Sequence, residues 1–373
     1  VINIPSGSKF GIHAIQPGGQ ESGWILSMAQ AGAPFAVVKG VDCPGLAVSA
    51  KKASPKSITI TRFTQYVSVQ EISDMLEPDY AGIAKRLFIP FDKMTAEERA
   101  AADFWEMMNE PSPPGDAGYE RLSRLNHFVM DEANHRGIKV LLFSLNAGTP
   151  EWGQMLAMAN SGVFERAKQE GHGLAWHDGV FGNDAVEKGF GLSIPGAPYI
   201  PGCGLLCGRW RNLYHLLRQH NAVVPLFITE LRVNGGNTEL SAEETLRRFK
   251  WYDTLIRHDA YVVSAMPFTV APSEEWKGHN YTYAMQALTG YMRDIAGQSN
   301  TSWLTNQDVF NLIAPHGVRL GMNFVGRLPY DLMAAMLLDR RGAYLGPSPL
   351  RWIPEQDVLQ TLDSEMRVRG WTE

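Results

Sequence analysis

Short apolar runs rich in Val, Ile and Phe recur along the chain, and most give way to a loop and then to a stretch whose apolar positions return every three or four residues. Strand followed by amphipathic helix is the pattern of βα units around a parallel sheet. Eight runs read as strands: residues 10–15, 34–39, 57–63, 104–109, 138–145, 173–177, 225–230 and 261–268. Eight is the number that closes a (β/α)8 barrel, so the expected fold is α/β, a TIM barrel.

Helix ends are readable between the strands. Tyr119 to Arg136 places Leu122, Leu125, Phe128, Val129 and Ala133 at helical spacing, and Gly137 follows as a C-terminal cap. Ser241-Ala242-Glu243-Glu244 has the form of a capping box opening a helix to about His258, and Leu206 to His220 supplies another. Two connections are too long for simple turns: Thr64 to Asp103, with helical stretches around Glu71 and Ala84, and Gly179 to Gly204, rich in Gly and Pro. Connections of that length are usually functional.

Tyr281 to Ala296 reads as the closing helix, which sets the barrel at residues 1–297. Residues 298–373 form a small, mainly helical C-terminal extension, patterned around Asp308 to Ile313 and Asp331 to Arg340. Its apolar positions Met333, Met336 and Leu337 would serve a homodimer contact as well as a dock on the barrel.

Composition changes this picture little. The chain has 373 residues, 45% of them hydrophobic, ample for a large core. A net charge of -5 without long runs of one sign argues against nucleic acid and against a polybasic membrane contact. No stretch approaches a membrane span, and the first residues lack a signal pattern. The chain begins with Val1 rather than Met, as removal of an N-terminal segment would leave it. Neither a secreted nor a cytoplasmic location is indicated. Three cysteines, Cys43, Cys203 and Cys207, are too few for a disulfide framework; a bridge between the last two is conceivable, plain thiols are expected.

Chemistry enters at Phe104-Trp105-Glu106-Met107-Met108-Asn109-Glu110-Pro111, an apolar strand ending on a carboxylate beside an amide. Pro225-Leu226-Phe227-Ile228-Thr229-Glu230 repeats the pattern. Two strands of one barrel that each end in Glu aim two carboxyl groups into one mouth, the equipment for hydrolysing a glycosidic bond. With Asn109-Glu110-Pro111 on the fourth strand and Thr229-Glu230 on the seventh, residues 9–297 resemble the clan A (4/7 superfamily) retaining glycoside hydrolases. The resemblance implies Glu110 as acid/base, Glu230 as nucleophile and Asn109 as donor to the sugar 2-hydroxyl. A general acid needs a raised pKa, for which the charge of Glu230 and packing by Trp105 or Met108 are candidates, whereas the nucleophile must stay ionised. His177 stands where the family often has a polar residue near the nucleophile. This chain departs from the family at strand eight, with Met266-Pro267-Phe268 where many members carry Trp, and at His177-Asp178-Gly179, where they often carry Tyr. Phe268 or Tyr199 are candidate substitutes.

Other strand-end residues are candidates for sugar contacts by position: His13, Lys39, Asp42, Arg62, Asn146 and Asp178, with Arg209 reaching in from a following helix. Lys39 or Arg62 could equally close an ion pair with Glu230. Of Trp105, Trp152, Trp176 and Trp276, one or two are expected to stack on sugar rings and the rest to be core. His13 has no second His at metal-site spacing, and no phosphate-binding or dinucleotide fingerprint appears, so neither metal nor cofactor is expected. The competing reading is a non-catalytic glycan-binding or scaffold barrel.

Overall fold

The computed structural model describes residues 7–15, 20–64, 67–74, 79–180, 186, 194–198, 203–234, 240–257, 259–272 and 274–298. The C-terminal extension beyond residue 298, with Met333, Met336 and Leu337, and Tyr199 lie outside the described residues.

Among the described residues there are eight strands: β1 (Ile12–Ile15), β2 (Val37–Val41), β3 (Ile58–Arg62), β4 (Phe104–Glu106), β5 (Val140–Leu145), β6 (Gly173–Gly179), β7 (Leu226–Arg232) and β8 (Val262–Pro267). They lie in chain order, each parallel to the next. Bridges from Phe10 to Ala265 and from Ala14 to Val270 join β8 back to β1, and the (β/α)8 barrel closes. Gly11 sits in that seam because a Cβ there would lie 2.5 Å from the Val37 carbonyl oxygen and 2.7 Å from the Met266 side chain.

Around the barrel run α1 (Gln20–Gln30), α2 (Gly45–Ala53), α7 (Gly115–His135), α8 (Trp152–Asn160), α9 (Val163–Glu170), α10 (Trp210–Gln219), α11 (Ala242–Arg257) and α12 (Met285–Asp294). Among the described residues the connection from β3 to β4 holds α3 (Val69–Ser73) and α4 (Tyr80–Leu87), at the positions expected around Glu71 and Ala84, and two further short helices, α5 (Ile89–Lys93) and α6 (Ala96–Ala101). Ser68, Asp79 and Thr95 cap three of them through side-chain oxygens, which is why a polar-rich segment breaks into separate turns. At α11 the Glu244 amide donates to Ser241 Oγ (3.1 Å), while the Glu244 carboxylate pairs with Arg247 and Arg248. Gly137 takes a left-handed φ of 68° just past α7, as its cap position requires.

Two apolar shells result. Val37, Ile60, Phe104, Leu141, Ala175, Phe227, Val263 and Met266 fill the barrel interior, and a larger cluster fills the space between strands and helices. Alternation of side chains along each strand sorts neighbours between them. Phe104 therefore faces inward, and Trp105 faces outward, where it stacks on Phe63 and abuts Phe91 rather than packing on Glu110.

Candidate active site

The polar floor of the barrel mouth follows from the same period of two. Val37, Ile60, Phe104 and Ala175 belong to the interior shell, and two residues further along each strand stand Lys39, Arg62, Glu106 and His177. All four are buried, in one layer above the apolar plug.

Two strands leave that rule. On β7, Ile228 pairs with Trp176 and Glu230 with His177, so one extra residue is inserted; β8 sees the same insertion, with Ile228 opposite Ala265 and Leu231 opposite Pro267. A bulge re-aims side chains. Here consecutive residues turn to the same site, Thr229 donating to Glu106 Oε1 (2.7 Å) and Glu230 accepting from Arg62 (2.8 Å). On β5 a second insertion lies between Leu142 and Leu145, where Phe143 and Ser144 take φ of 67° and 47°. Ser144 Oγ donates to Glu106 (2.9 Å) and its carbonyl accepts from the Glu110 amide (2.9 Å). β4 stops at Glu106, so Asn109 and Glu110 lie in the loop beyond it, and Glu110 itself has φ of 49°. Three non-glycine residues in the left-handed region meet at one place, strain of the kind that gathers at functional sites.

Glu110 and Glu230 thus share one mouth. An oxygen of each and a ring nitrogen of His177 all lie within 4.8 Å of one another. His177 Nδ1 is 2.8 Å from Glu110 Oε1 and 3.6 Å from Glu230 Oε2, and its Nε2 is 3.4 Å from Glu106 Oε1. The Glu230 side chain is 4% exposed and that of Glu110 23%, so Glu110 is the one open to solvent.

Charges around Glu230 are mostly positive. Arg62 lies at 2.8 Å, Lys39 at 3.7 Å and Arg232 at 3.7 Å. Burial opposes its ionisation, but His177, Lys39 and Arg62 outweigh burial and hold the carboxyl far below its usual range. Glu106 behaves alike: against burial, Lys39 at 2.5 Å, the His177 hydrogen bond and Arg62 keep it ionised. His177 is raised, since Glu230 and its hydrogen bonds to Glu106 and Glu110 overcome the effect of burial. Lys39 is lowered by burial, partly offset by Glu106. Glu110, His177 and Glu230 have the spacing of cation ligands, but Lys39, Arg62 and Arg232 already supply positive charge there, which disfavours a divalent ion.

The other candidates divide. His13 is buried beside this layer; Thr269 Oγ1 donates to the His13 carbonyl (3.0 Å), so it accepts from Nδ1 (2.9 Å) and the ring proton sits there. Burial and then Lys39 hold that ring neutral. Asn109 borders a cavity of ≈ 130 Å³ with Arg62, Phe63, Thr64, Trp105 and Met108, and its buried Oδ1 has no partner among the described residues. Trp276 lies in a 3-10 turn (Glu274–His279) with its ring edge-on to Phe268 (5.4 Å), beside an apolar lip of Ile15, Val41 and Phe268. Being partly exposed at the rim, it keeps surface for stacking.

Asp178, Trp176 and Arg209 are not brought to the mouth. Asp178 and Trp176 flank His177 on the strand and so face the helices. Asp178 accepts from the Gly208 amide (3.1 Å), Trp210 Nε1 (3.1 Å) and Tyr252 Oη (2.6 Å), while Trp176 is fully buried in the outer shell. Arg209 is buried against the carbonyls of Pro150 (2.9 Å) and Leu205 (3.0 Å) and against Glu151 (3.0 Å). Asn146 lies in the turn after β5, its carbonyl accepting from Thr149. Asp42 braces the next loop by accepting from the Thr64 amide and hydroxyl. Cys43, Cys203 and Cys207 are all thiols.

Sequence reading missed Glu106, Ser144, Thr229 and Arg232. For Glu106 the signal was present, since it stands two residues after an inward Phe; for the others it lay in bulges that residue types do not announce.

No protein-family model and no curated protein matches the sequence. Among solved structures the chain is similar to a glucosidase from Croceicoccus marinus, at 12% identity and a TM-score of 0.43, over 78% of this chain and 68% of that one. It is similar also to an endo-beta1,6-glucanase, at 10% identity and a TM-score of 0.44, over 79% and 77%. An aldo/keto reductase from Brucella melitensis matches at 10% identity and a TM-score of 0.34, over 78% and 100%. Glycosidases and reductases appear together, and at such values the likeness says nothing of activity.

Proposed function

We propose that the protein is a retaining O-glycoside hydrolase acting on an oligo- or polysaccharide. The observation that carries the reading is the pair of carboxylates, with an oxygen of Glu110 within 4.8 Å of one of Glu230. Retention calls for carboxyl groups about 5 to 5.5 Å apart, whereas inversion needs about 6.5 to 9.5 Å to seat a water.

Roles follow from the surroundings. Glu230, buried and held ionised by cations, suits attack on the anomeric carbon. Glu110, more exposed and hydrogen-bonded to His177, suits proton transfer to and from the leaving oxygen. In the first step Glu110 gives its proton to the departing oxygen as Glu230 forms the ester. In the second it takes a proton from water, which attacks the anomeric carbon and releases Glu230. Asn109, next to Glu110 in the loop after β4 and with no partner for its Oδ1 among the described residues, is the residue we assign to a sugar contact. A barrel that only binds glycans has no need of one shielded and one open carboxylate.

Glu230→Ala tests this. Hydrolysis should vanish while the chain still folds, with some loss of stability because Arg62 and Lys39 lose a buried partner; unchanged turnover would refute the assignment.

A further inference from the structure

Glu106 is a third carboxylate, and neither chemical step uses it. It is buried, and among the described residues its polar contacts are with donors: Ser144 Oγ (2.9 Å), Thr229 Oγ1 (2.7 Å), His177 Nε2 (3.4 Å) and the Lys39 ammonium (2.5 Å). Both hydroxyls need an acceptor, and the ammonium can only donate. Glu106 is therefore an anion, and His177 Nε2 must present a hydrogen to it. That settles one nitrogen of the ring and leaves the other, Nδ1, 2.8 Å from Glu110 Oε1. The short contact admits one proton between them, carried either by Nδ1 or by the carboxyl oxygen.

We propose that Glu106 is a positioning residue that pins the His177 proton at Nε2, so that Nδ1 and Glu110 share a single mobile proton. The proposal rests on the reading of Glu110 as acid/base. Glu110 can hold the proton while Nδ1 accepts from it, so the acid is kept loaded beside an ionised Glu230. When that proton leaves with the departing oxygen, the Nδ1 lone pair faces the Glu110 carboxylate. Neither partner then stabilises the other, which strengthens Glu110 as the base that takes the proton of water. The pair loses one proton in the first step and regains one in the second; Nε2 keeps its own throughout. The charged and titratable groups around the ring are Lys39, Arg62, Glu106, Glu110, Glu230 and Arg232, with His13 and His279 near Glu230.

The test is nitrogen NMR of the full chain labelled in its histidine rings, with His177 assigned by loss of its signals in His177→Gln. In the parent, Nε2 should read as protonated from about pH 5 to about pH 9 while Nδ1 titrates. In Glu106→Gln the ring should show mixed tautomers. The basic limb of kcat/KM should fall by about one pH unit or more, because the anion that favours the shared proton is gone. A bare Nε2 in the parent, or a ring and basic limb unchanged in Glu106→Gln, would overturn the proposal. The parent measurement does not depend on Glu106→Gln folding. The ring signals need no substrate, so they decide the proposal even if no glycoside is turned over, an outcome that counts against the hydrolase reading alone.

Discussion

Replacing Lys39 by Met removes the cation 2.5 Å from Glu106 and 3.7 Å from Glu230, at a point where the Lys39 and Glu106 side chains are fully buried. At an effective dielectric of about 20, a separation of 2.5 Å corresponds to about 6.6 kcal/mol of attraction. The cost of taking both ions out of water offsets much of it, and losing one partner of a buried pair typically costs about 3 to 5 kcal/mol. Glu106 would keep the Ser144 and Thr229 hydroxyls, which places Lys39→Met near the lower end, about 3 kcal/mol. Against a total stability of about 5 to 15 kcal/mol that is a large loss. Glu106→Gln in the same chain removes the stranded charge, so the double variant should lose less than the two single losses added, by about 1.5 kcal/mol or more. Equilibrium unfolding in urea of the four proteins at neutral pH measures the coupling. Losses that add to within about 0.5 kcal/mol would refute the view that this ion pair organises the barrel floor.

Other expectations follow from the same geometry. For Glu110→Ala, aryl glycosides with good leaving groups should keep a fast first step and accumulate the ester, seen as a burst, while unactivated substrates lose nearly all turnover; equal losses on both would remove the acid role. Asp178, pushed up to about 6 by burial despite its hydrogen bonds from Tyr252, Gly208 and Trp210, holds its proton more tightly in the folded chain than in the unfolded one. Its contribution to stability is therefore greatest below about pH 4 and falls by roughly 3 kcal/mol as pH rises to about 6. Denaturant midpoints across that range should slope less in Asp178→Asn, and parallel slopes would show that the carboxyl is not strained by burial.

The strands and their order were legible because each is a short apolar run before a periodic helix. The layer of Lys39, Arg62, Glu106 and His177 was legible in principle, since each stands two residues beyond an inward apolar side chain. Ranking residues by nearness to a strand's end, without asking which face they occupy, is what drew in Trp176 and Asp178, one step either side of His177. Glu230 shows the reverse difficulty. Strict alternation from Phe227 would turn it outward, and only the extra residue in β7 brings it beside Thr229. The left-handed turn at Phe143 and Ser144 that anchors Glu110 has no glycine to mark it.

As the nucleophile, Glu230 should become covalently bonded to a sugar during turnover. Incubating the protein with a panel of 2-deoxy-2-fluoro glycosyl fluorides, then reading the intact mass and mapping the modified peptide, tests it most directly. At least one fluorosugar should leave a stable adduct on Glu230. An adduct on a different carboxylate such as Glu106 or Glu110, or turnover of a glycoside with inverted product and no adduct, would contradict it.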